Sequence, residues 1–307
     1  MEAHPRIGQS ARLANRGLQR AIGEQPVVAL ILVPTPLGNL RDVTLRALDV
    51  LRSCDLLVAE DTRVARRLLS ALQLPSKPLR SYREQNAAEV TTELLARART
   101  ECVALVTDAG MPAISDPGQA LVAAAREAGV EVEVLPGASA FVCAAVLSGF
   151  ELNGFSFEGF PPRAQGRRER AFRSAHASGH VTVWYEAPGR IFATLETLAR
   201  IAPAGRVFLV RELTKFHEQQ VLGTPAEVLA ALAQPVRGEI TLVLAPATKT
   251  PAVAAPPEAG VDGEIDRMLA AGASVATVAR ELARLGFGSR AELYGNVLAR
   301  KRDRHEP

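Results

Sequence analysis

The segment at residues 106–118, VTDAGMPAISDPG, has the composition of a binding loop. An apolar run predicted to be a strand precedes it and a helical pattern follows, so it lies at the carboxyl end of a strand, where open α/β sheets bind their ligands. Its two glycines and two prolines permit close backbone approach and restrict the shape of the loop. An Asx turn with Pro-Gly punctuation would account for any one of its aspartates. The whole segment favours a small-molecule site.

Polar loops follow four other predicted strands as well. They occupy residues 34–40, 60–63, 184–188 and 211–218. Each loop alone is compatible with a capped, salt-bridged turn. Five such loops at one edge of a sheet are what a binding cleft requires.

Several classes of protein are excluded or disfavoured. The chain contains no G-x-G-x-x-G, no G-x-x-x-x-G-K-[ST] and no H-E-x-x-H, which argues against a dinucleotide enzyme, a P-loop protein and a zinc protease. Cys54, Cys102 and Cys143 lack metal-ligand spacing and indicate buried thiols in a reducing cytoplasm, so no metal site is predicted. The longest apolar run, residues 27–33, is too short to cross a bilayer. A net charge of +3 is weak evidence for any partner.

Strand and helix patterns alternate from residue 26 onward and predict an α/β fold with a largely parallel sheet. The predicted strands cover residues 27–33, 55–59, 103–106, 130–135, 181–185, 207–210 and 239–245. The predicted helices cover residues 44–51, 64–72, 87–99, 119–128, 138–147, 166–177, 190–201 and 226–233. The stretch 148–160, rich in Gly and Phe, is predicted to be a seam between two α/β units.

The domain organisation follows from these patterns and from a length of 307 residues. We predict α/β domains at 27–148 and 149–246. Residues 1–26 are predicted to be a disordered extension, with a transit peptide as the alternative. Pro- and Ala-rich residues 247–261 are typical of a semi-rigid linker. For residues 262–307 we predict a helix-turn-helix-like tail with helices at 274–285 and 291–300. The basic end of this tail is expected either to be solvated or to contact RNA.

Six sequence blocks, taken together, resemble one known superfamily. They are PTPLGNL at 34–40, AEDTR at 59–63, DAGMPAISDPG at 108–118, PGASA at 136–140, YEAPGR at 185–190 and RELTK at 211–215. In this order they resemble the tetrapyrrole methylases, and AEDTR and RELTK resemble the branch that acts on ribosomal RNA. Two departures concern imidazoles: Gly189 stands where the family usually has histidine, and Arg83 and Gln85 replace two further histidines.

The resemblance implies two α/β domains with S-adenosylmethionine between them and a homodimer. The helical pattern of the tail adds a small C-terminal helical appendage, and the cysteines indicate a cytoplasmic location. The resemblance also implies methylation of a cytidine ribose 2′-hydroxyl in the decoding centre of 16S rRNA, within the small ribosomal subunit, and no DNA or membrane partner. The cofactor residues it implies are Pro34, Asp108, Ala109, Gly110, Pro112, Ile114, Ser115, Pro136, Gly137, Ala138, Tyr185, Leu213 and Thr214.

Methyl transfer to a ribose oxygen needs alignment more than a metal, because the leaving group is a neutral thioether. Alignment contributes up to ~7–11 kcal/mol. A general base is useful since a 2′-hydroxyl is a poor nucleophile near neutral pH. The candidate bases are Glu60, Asp61, Glu186, Glu212 and Lys215, the last only if desolvation removes its proton. Ion pairs of Arg63 with Glu186 or Glu212 would explain the same residues.

Arginine clusters are the candidates for phosphate contact. The predicted RNA-binding residues are Arg63, Arg67, Arg163, Arg167 and Arg168. The alternative is a solvated helix face. The target base is expected to stack on an aromatic side chain such as Tyr82 or Phe160. Two other functions fit the sequence: a tetrapyrrole methylase, and a non-catalytic RNA-binding assembly factor that kept the fold.

Overall fold

The computed structural model describes residues 29–247, 260–284 and 287–303. The chain divides into two compact units, Met1–Pro246 and Ala247–Pro307. The predicted extension at residues 1–26, most of the predicted linker and the last four residues of the tail lie outside the described residues. None of the helices in the described ranges is long and apolar enough to span a membrane.

The first sheet contains five parallel strands in the order β3-β2-β4-β1-β5. The strands are β1 (Ala29–Leu32), β2 (Leu56–Ala59), β3 (Leu79–Ser81), β4 (Cys102–Val106) and β5 (Val132–Val134). Every residue of β1, β2 and β4 is buried, as continuous apolar runs are in a sheet covered on both faces. The short edge strand β3 was not predicted, because only one of its three residues is apolar.

Helices cover both faces of this sheet. They are α1 (Leu45–Ser53), α2 (Thr62–Ala71), α3 (Ala87–Arg97) and α4 (Gln119–Glu127), with a 3-10 helix at Leu40–Asp42. The next helix, α5 (Ala140–Leu147), packs against the second sheet instead. Ile31 of β1 packs in the same core cluster as residues of α1 and α2, and its neighbour Leu30 packs with α3 and α4. Successive strand residues point to opposite faces of the sheet, so one strand contributes side chains to the hydrophobic core on each face. The chain therefore has the predicted α/β fold class.

The second sheet has the order β6-β7-β10-β8-β9 and is mixed. Its strands are β6 (Phe155–Phe157), β7 (Val181–Glu186), β8 (Val207–Arg211), β9 (Gln219–Gly223) and β10 (Ile240–Leu244), and its helices are α6 (Gln165–Ala177), α7 (Ile191–Ile201) and α8 (Pro225–Ala230). Strand β10 runs antiparallel to both β7 and β8, and β9 runs antiparallel to β8. The prediction of a largely parallel sheet is wrong for this half.

Two strands of the second sheet were not predicted from the pattern of apolar runs. Strand β9 begins with two glutamines and forms a hairpin with β8, so no helix intervenes to indicate a parallel crossover. Strand β6 lies inside the stretch predicted to be a seam and pairs in parallel with β7. The seam prediction is wrong at 155–157, because the phenylalanines there belong to an edge strand.

The described residues of the second unit form three helices, α9 (Gly260–Ala270), α10 (Val275–Arg284) and α11 (Arg290–Asp303). Only the last two were predicted, and the linker prediction is wrong at 260–261, where α9 begins. Apolar residues at helical spacing, Val261 and Ile265 among them, pack α9 into the unit's core. Ser289 and Glu292 form the predicted capping box, with Glu292 N donating to Ser289 Oγ at 3.3 Å and Ser289 N to Glu292 Oε2 at 3.1 Å.

Candidate active site

The loops after β1 and β4 are joined by backbone hydrogen bonds. Thr35 N donates to Gly110 O at 2.9 Å and Gly110 N donates to Thr35 O at 3.1 Å. The Thr35 hydroxyl, which is buried, donates to Thr107 O at 3.2 Å. These bonds hold the two loops as one surface. They also occupy the backbone N–H and C=O groups of Gly110, a residue that was predicted to bind the cofactor.

The residues of the first loop also pack against the loop after β5. A Cβ atom added to Gly137 would lie 2.5 Å from Pro34 Cβ, so only glycine permits this approach. Pro34 and Gly137 thus contact each other in the protein, and their shared role is to set the separation of two loops.

The turn after β8 carries backbone strain and touches the loop after β1. Glu212 and Thr214 adopt φ values of 55° and 64°, in the left-handed region that a β-branched residue such as threonine rarely enters. Asn39 N donates to Thr214 Oγ1 at 3.2 Å. A Cβ atom on Gly38 would lie 2.2 Å from Lys215 Cγ. The two sheets therefore meet through these loops, and such strained positions concentrate at functional sites.

Lys215 is held by two carboxylates. Its Nζ lies 2.8 Å from Glu212 Oε1 and 3.0 Å from Glu239 Oε2. Burial alone lowers the pKa of the Lys215 ammonium, but the hydrogen bonds to both carboxylates outweigh burial and raise the pKa above its ordinary value. The prediction of Lys215 as a base is wrong, because this ammonium keeps its proton.

Glu212 is excluded as a base on similar grounds. Burial by itself raises the pKa of its carboxyl, but hydrogen bonds from Lys215 and from Glu239 N lower the pKa below its ordinary value. Glu212 and Lys215 therefore form an ion pair that fixes the turn and the start of β10.

A cavity of about 350 Å³ is lined by the loops after β1 and β4, by the start of α5, and by residues of the second sheet and its loops. Five of the predicted cofactor residues line it: Ala109, Gly110, Ile114, Ser115 and Tyr185. Lining residues that were not predicted as cofactor contacts are Leu37, Met111, Asp116, Ser139, Ala140, Phe160, Glu186, Ala187, Pro188, Gly238, Glu239, Ile240 and Thr241. The other predicted cofactor residues are not in its wall: Pro34, Asp108, Pro112, Pro136, Gly137, Ala138, Leu213 and Thr214.

Residues 238–241 were missed for a topological reason. A parallel β10 would have placed its first residues at the opposite edge of the sheet. The antiparallel pairing sets Ile240 against both Glu186, the last residue of β7, and Arg211, the last residue of β8. The start of β10 thereby joins the cavity wall. No signal in the sequence shows the direction of a strand in this position.

The cavity has an aromatic wall and an acidic side. The ring of Tyr185 lies 4.8 Å from that of Phe157 and 5.8 Å from that of Phe160, both in edge-on geometry. Burial raises the pKa of Tyr185 to about 12, so its hydroxyl stays neutral. Asp116 accepts a hydrogen bond from Thr107 Oγ1 at 2.8 Å, and burial raises the pKa of its carboxyl.

A second cavity of about 640 Å³ is lined entirely by polar side chains. Its wall contains Glu60, Asp61, Ser81, Arg83, Gln85, Asn86 and Asp108. Arg83 Nε and Ser81 Oγ donate to Glu60 O at 2.9 and 3.3 Å, which fixes the backbone behind this carboxylate. A third cavity shares Glu60 and Arg83 with the second cavity and Ser115 and Asp116 with the first, so the three adjoin.

Glu60 and Asp108 have raised pKa values in this polar cavity. Burial is the main cause for both carboxyl groups, and neighbouring charges add to it: Asp116 and Asp108 for Glu60, and Asp61 for Asp108. Asp108 was predicted to bind cofactor but lies in the polar cavity instead. Raised values bring both carboxyl groups closer to the pH range in which a base works well.

Asp61 has a structural role at the start of α2. It accepts hydrogen bonds from Arg63 N at 2.8 Å and from Arg63 Nη2 at 2.6 Å. These bonds hold the pKa of the Asp61 carboxyl well below its usual range. Asp61 is therefore a poor base, and the expected pairing of Arg63 with Glu186 or Glu212 is wrong because Arg63 pairs with Asp61.

Glu186 is a buried carboxylate that binds residues at and before the start of α7. Its side chain has no exposed surface; Arg190 Nε lies 3.1 Å from Oε1, and Thr194 Oγ1 donates to Oε2 at 2.5 Å. Ala187 N donates to Oε1 at 2.8 Å. Of the five candidate bases, Glu60 is the one whose carboxylate makes no hydrogen bond within the described part of the chain.

Some of the arginines predicted to contact RNA are exposed, and others are engaged by partners within the protein. Arg67, Arg163 and Arg167 are exposed. Arg63 is paired with Asp61, and Arg168 donates to Thr197 Oγ1 at 3.2 Å and to Arg163 O at 3.1 Å. Tyr82 is only 1% exposed, so the expectation that it stacks on a base is wrong; the half-exposed Phe160 lines the first cavity.

Comparison with known proteins gives one consistent picture. The sequence model of the tetrapyrrole (corrin/porphyrin) methylases matches residues 29–229. Ribosomal RNA small subunit methyltransferase I of Thermotoga maritima is 43% identical over 218 residues, covering 70% of this chain and 97% of that protein. The protein of the same name from Synechocystis sp. is 40% identical over 270 residues, covering 86% and 95%.

A solved structure has the same fold. Uroporphyrin-III C-methyl transferase from Thermus thermophilus, complexed with S-adenyl homocysteine, superposes with a TM-score of 0.51 at 22% identity and covers 71% of this chain and 97% of that one. The chain therefore has a fold that is also found in a methyltransferase of known structure.

Proposed function

Since this chain belongs to the tetrapyrrole methylase family and, within it, to the ribosomal RNA small subunit methyltransferase I family, we propose that it methylates 16S rRNA. The group transferred is the methyl of S-adenosylmethionine, and the acceptor is the ribose 2′-hydroxyl of a decoding-centre cytidine. The observation that carries this proposal is the pair of adjoining cavities, one largely apolar and one polar, with Glu60 in the polar one.

The residues of the first cavity suit S-adenosylmethionine. Leu37, Met111 and Ile114 offer apolar contacts for the adenine, and hydroxyl groups of Ser115, Ser139 and Thr241 offer hydrogen bonds. Asp116 and Glu239 provide negative charge for the ammonium and sulfonium groups. When bound, the cofactor supplies a methyl group on a sulfonium whose departure leaves a neutral thioether.

The polar cavity provides what the acceptor needs. Arg83, Gln85 and Asn86 line it and offer hydrogen-bond donors to a nucleotide. Glu60, on a backbone fixed by Arg83 and Ser81, accepts the 2′-hydroxyl proton at its carboxylate as the oxygen attacks. Asp108 adds negative charge that keeps the pKa of Glu60 raised.

The decisive experiment measures transfer of a labelled methyl group to three acceptors: unmodified small ribosomal subunits, naked 16S rRNA and a porphyrinoid. We expect a single alkali-resistant 2′-O-methylcytidine in the decoding centre, located by nuclease mapping. Transfer to the porphyrinoid alone would establish a tetrapyrrole methylase instead. Cofactor-independent RNA binding without transfer would indicate an assembly factor.

We propose further that the enzyme is a cytoplasmic homodimer that uses an apolar surface formed by α5 and β6. Val142, Val146 and Leu147 of α5 are 43%, 66% and 42% exposed, and Phe155 of β6 is 40% exposed. The ring of Phe155 lies 6.4 Å from that of Phe141 in α5, so the two elements form one continuous patch. Contiguous exposed apolar patches mark association sites.

Val146→Asp is expected to convert the dimer into a monomer, because a charge at the centre of an apolar interface is left without a partner. Sedimentation velocity measures the change directly. Leu45→Asp is the control, since Leu45 is 75% exposed on α1 and receives the same charge. A wild-type chain that sediments as a monomer, or a Val146→Asp variant that stays dimeric, would contradict the proposal.

The exposed arginines near α6 are expected to bind phosphate. Arg163→Ala combined with Arg167→Ala should weaken RNA binding and reduce the slope of log K against log salt by about 1 for each lost contact. Arg52→Ala, at an exposed arginine of α1, is the control. Filter binding at several salt concentrations measures both quantities. An unchanged slope in the double variant would assign these residues to a solvated face.

A further inference from the structure

We propose that Phe216 is a stacking residue for the RNA substrate, with its ring lying against an unpaired nucleobase beside the nucleotide that enters the cleft. The inference rests on the function proposed above and adds a contact that no feature of the cofactor cavity supplies. Phe216 is 97% exposed, the largest exposed fraction among the large apolar side chains that the structure describes.

A single exposed apolar residue is common and by itself indicates nothing. Phe216 differs because the turn that carries it is rigid. Thr214 N donates to Glu218 Oε2 at 2.7 Å, and Glu218 N donates to Lys215 O at 3.1 Å. Glu212 and Thr214 hold left-handed backbone angles on the same turn. The backbone that carries the ring is thus fixed, which reduces the entropy lost when a flat partner lies on the ring.

The turn that carries the ring lies at the rim of the cofactor cavity. The preceding residue, Lys215, binds Glu239, and Glu239 lines that cavity. Lys215 also lies against Gly38, whose neighbour Leu37 lines the same cavity. A nucleotide whose ribose approaches the cofactor passes this rim.

Exposed arginines in the segments bonded to this turn and to the end of β8 favour a nucleic acid. Arg41 lies two residues beyond Asn39, which bonds to the turn through Thr214, and Arg237 O accepts a hydrogen bond from Arg211 at the end of β8. Both arginines are exposed, and neither guanidinium has a carboxylate partner within the described residues. An exposed aromatic ring together with unpaired cations in neighbouring segments is typical of surfaces that bind unpaired bases and their phosphates.

The nearby carboxylates are already engaged. Glu212 and Glu239 share the Lys215 ammonium, and Glu218 accepts hydrogen bonds from Thr214 N and from Gln220 Nε2 at 2.6 Å. The His217 ring stands edge-on to Phe216 at 5.0 Å and leaves a ring face uncovered.

Phe216→Ala is expected to raise KM for unmodified small subunits by about 5–100-fold, from the usual loss of one base–aromatic stack, with cofactor affinity and kcat unchanged. Phe216→Trp should restore KM, whereas Phe216→Leu, apolar but without a π face, should not. Leu45→Ala is the control for loss of an exposed apolar side chain. Equal KM values for wild type, Ala and Leu variants would overturn the proposal.

A photocrosslink identifies the partner. With p-benzoylphenylalanine at position 216, irradiation in the presence of small subunits should attach the protein to a 16S rRNA nucleotide near the methylated cytidine. A crosslink only to a second copy of this chain or to a ribosomal protein would overturn the stacking role while leaving the methyltransferase function in place. A wild-type protein that neither binds nor methylates RNA would overturn the proposed function, and this inference with it.

Discussion

Glu60→Gln is expected to lower kcat for methyl transfer by about 10²–10⁴-fold, the usual contribution of a general base. The glutamine preserves the size of the side chain, and the hydrogen bonds from Arg83 and Ser81 to Glu60 O do not involve that side chain. Affinity for S-adenosylmethionine should therefore stay close to that of the wild type. Isothermal titration and single-turnover kinetics separate the two quantities.

The pH dependence provides an independent test of Glu60. Its pKa is raised, chiefly by burial. Because the base must be ionised, kcat should fall with decreasing pH and should do so at a higher pH than an ordinary glutamate would require. The same shift means that ionised Glu60 destabilises the folded protein above that pKa, so Glu60→Gln should unfold at an equal or higher temperature at pH 7.

Asp61→Asn is the matched control for Glu60→Gln. The two residues are adjacent and line the same cavity, but Asp61 is occupied as the cap of α2, and asparagine serves as a cap equally well. We expect its kcat to remain within a few-fold of the wild type. If Glu60→Gln kept full activity, or if both variants lost activity equally, Glu60 would not be the base.

Glu186→Ala is expected to lower the free energy of unfolding by about 3–5 kcal/mol, as breaking a buried ion pair does. The change leaves Arg190 and Thr194 without their carboxylate at the start of α7. For a unit of this size the loss corresponds to a fall of roughly 10 °C in Tm. Denaturant titration and differential scanning calorimetry measure it. Glu186→Gln, which keeps an acceptor oxygen, should lose less.

Measurements of methyl transfer distinguish a structural role of Glu186 from a role as the general base. At a temperature well below its own Tm, Glu186→Ala should still transfer methyl groups, since the carboxylate is enclosed by Arg190, Thr194 and the backbone of Ala187. A kcat as low as that of Glu60→Gln in a folded Glu186→Ala variant would restore Glu186 as a catalytic candidate. Thr194→Val, which removes one of the three bonds, provides an intermediate point for stability.

Much of this protein is determined by its sequence alone. The buried runs at β1, β2 and β4 are apolar throughout, and such runs between helical patterns specify an α/β sheet whose loops gather at one edge. The six motif blocks identify the superfamily without reference to any contact. Local chemistry is equally readable: the capping box at Ser289 and Glu292 forms as its spacing predicts, because both partners lie within one helical turn.

Only the tertiary structure decided which of these loops and carboxylates share a site. Strand direction depends on long-range pairing, so the reversal of β10 that brings Gly238–Thr241 into the cavity wall left no mark in the local pattern. Distant partners also determine the role of each charged candidate: Lys215 is paired with Glu239, whereas the Glu60 carboxylate accepts no hydrogen bond from the described residues of its cavity. A side chain's ionisation depends on burial and on neighbouring charges, and both are properties of the folded molecule.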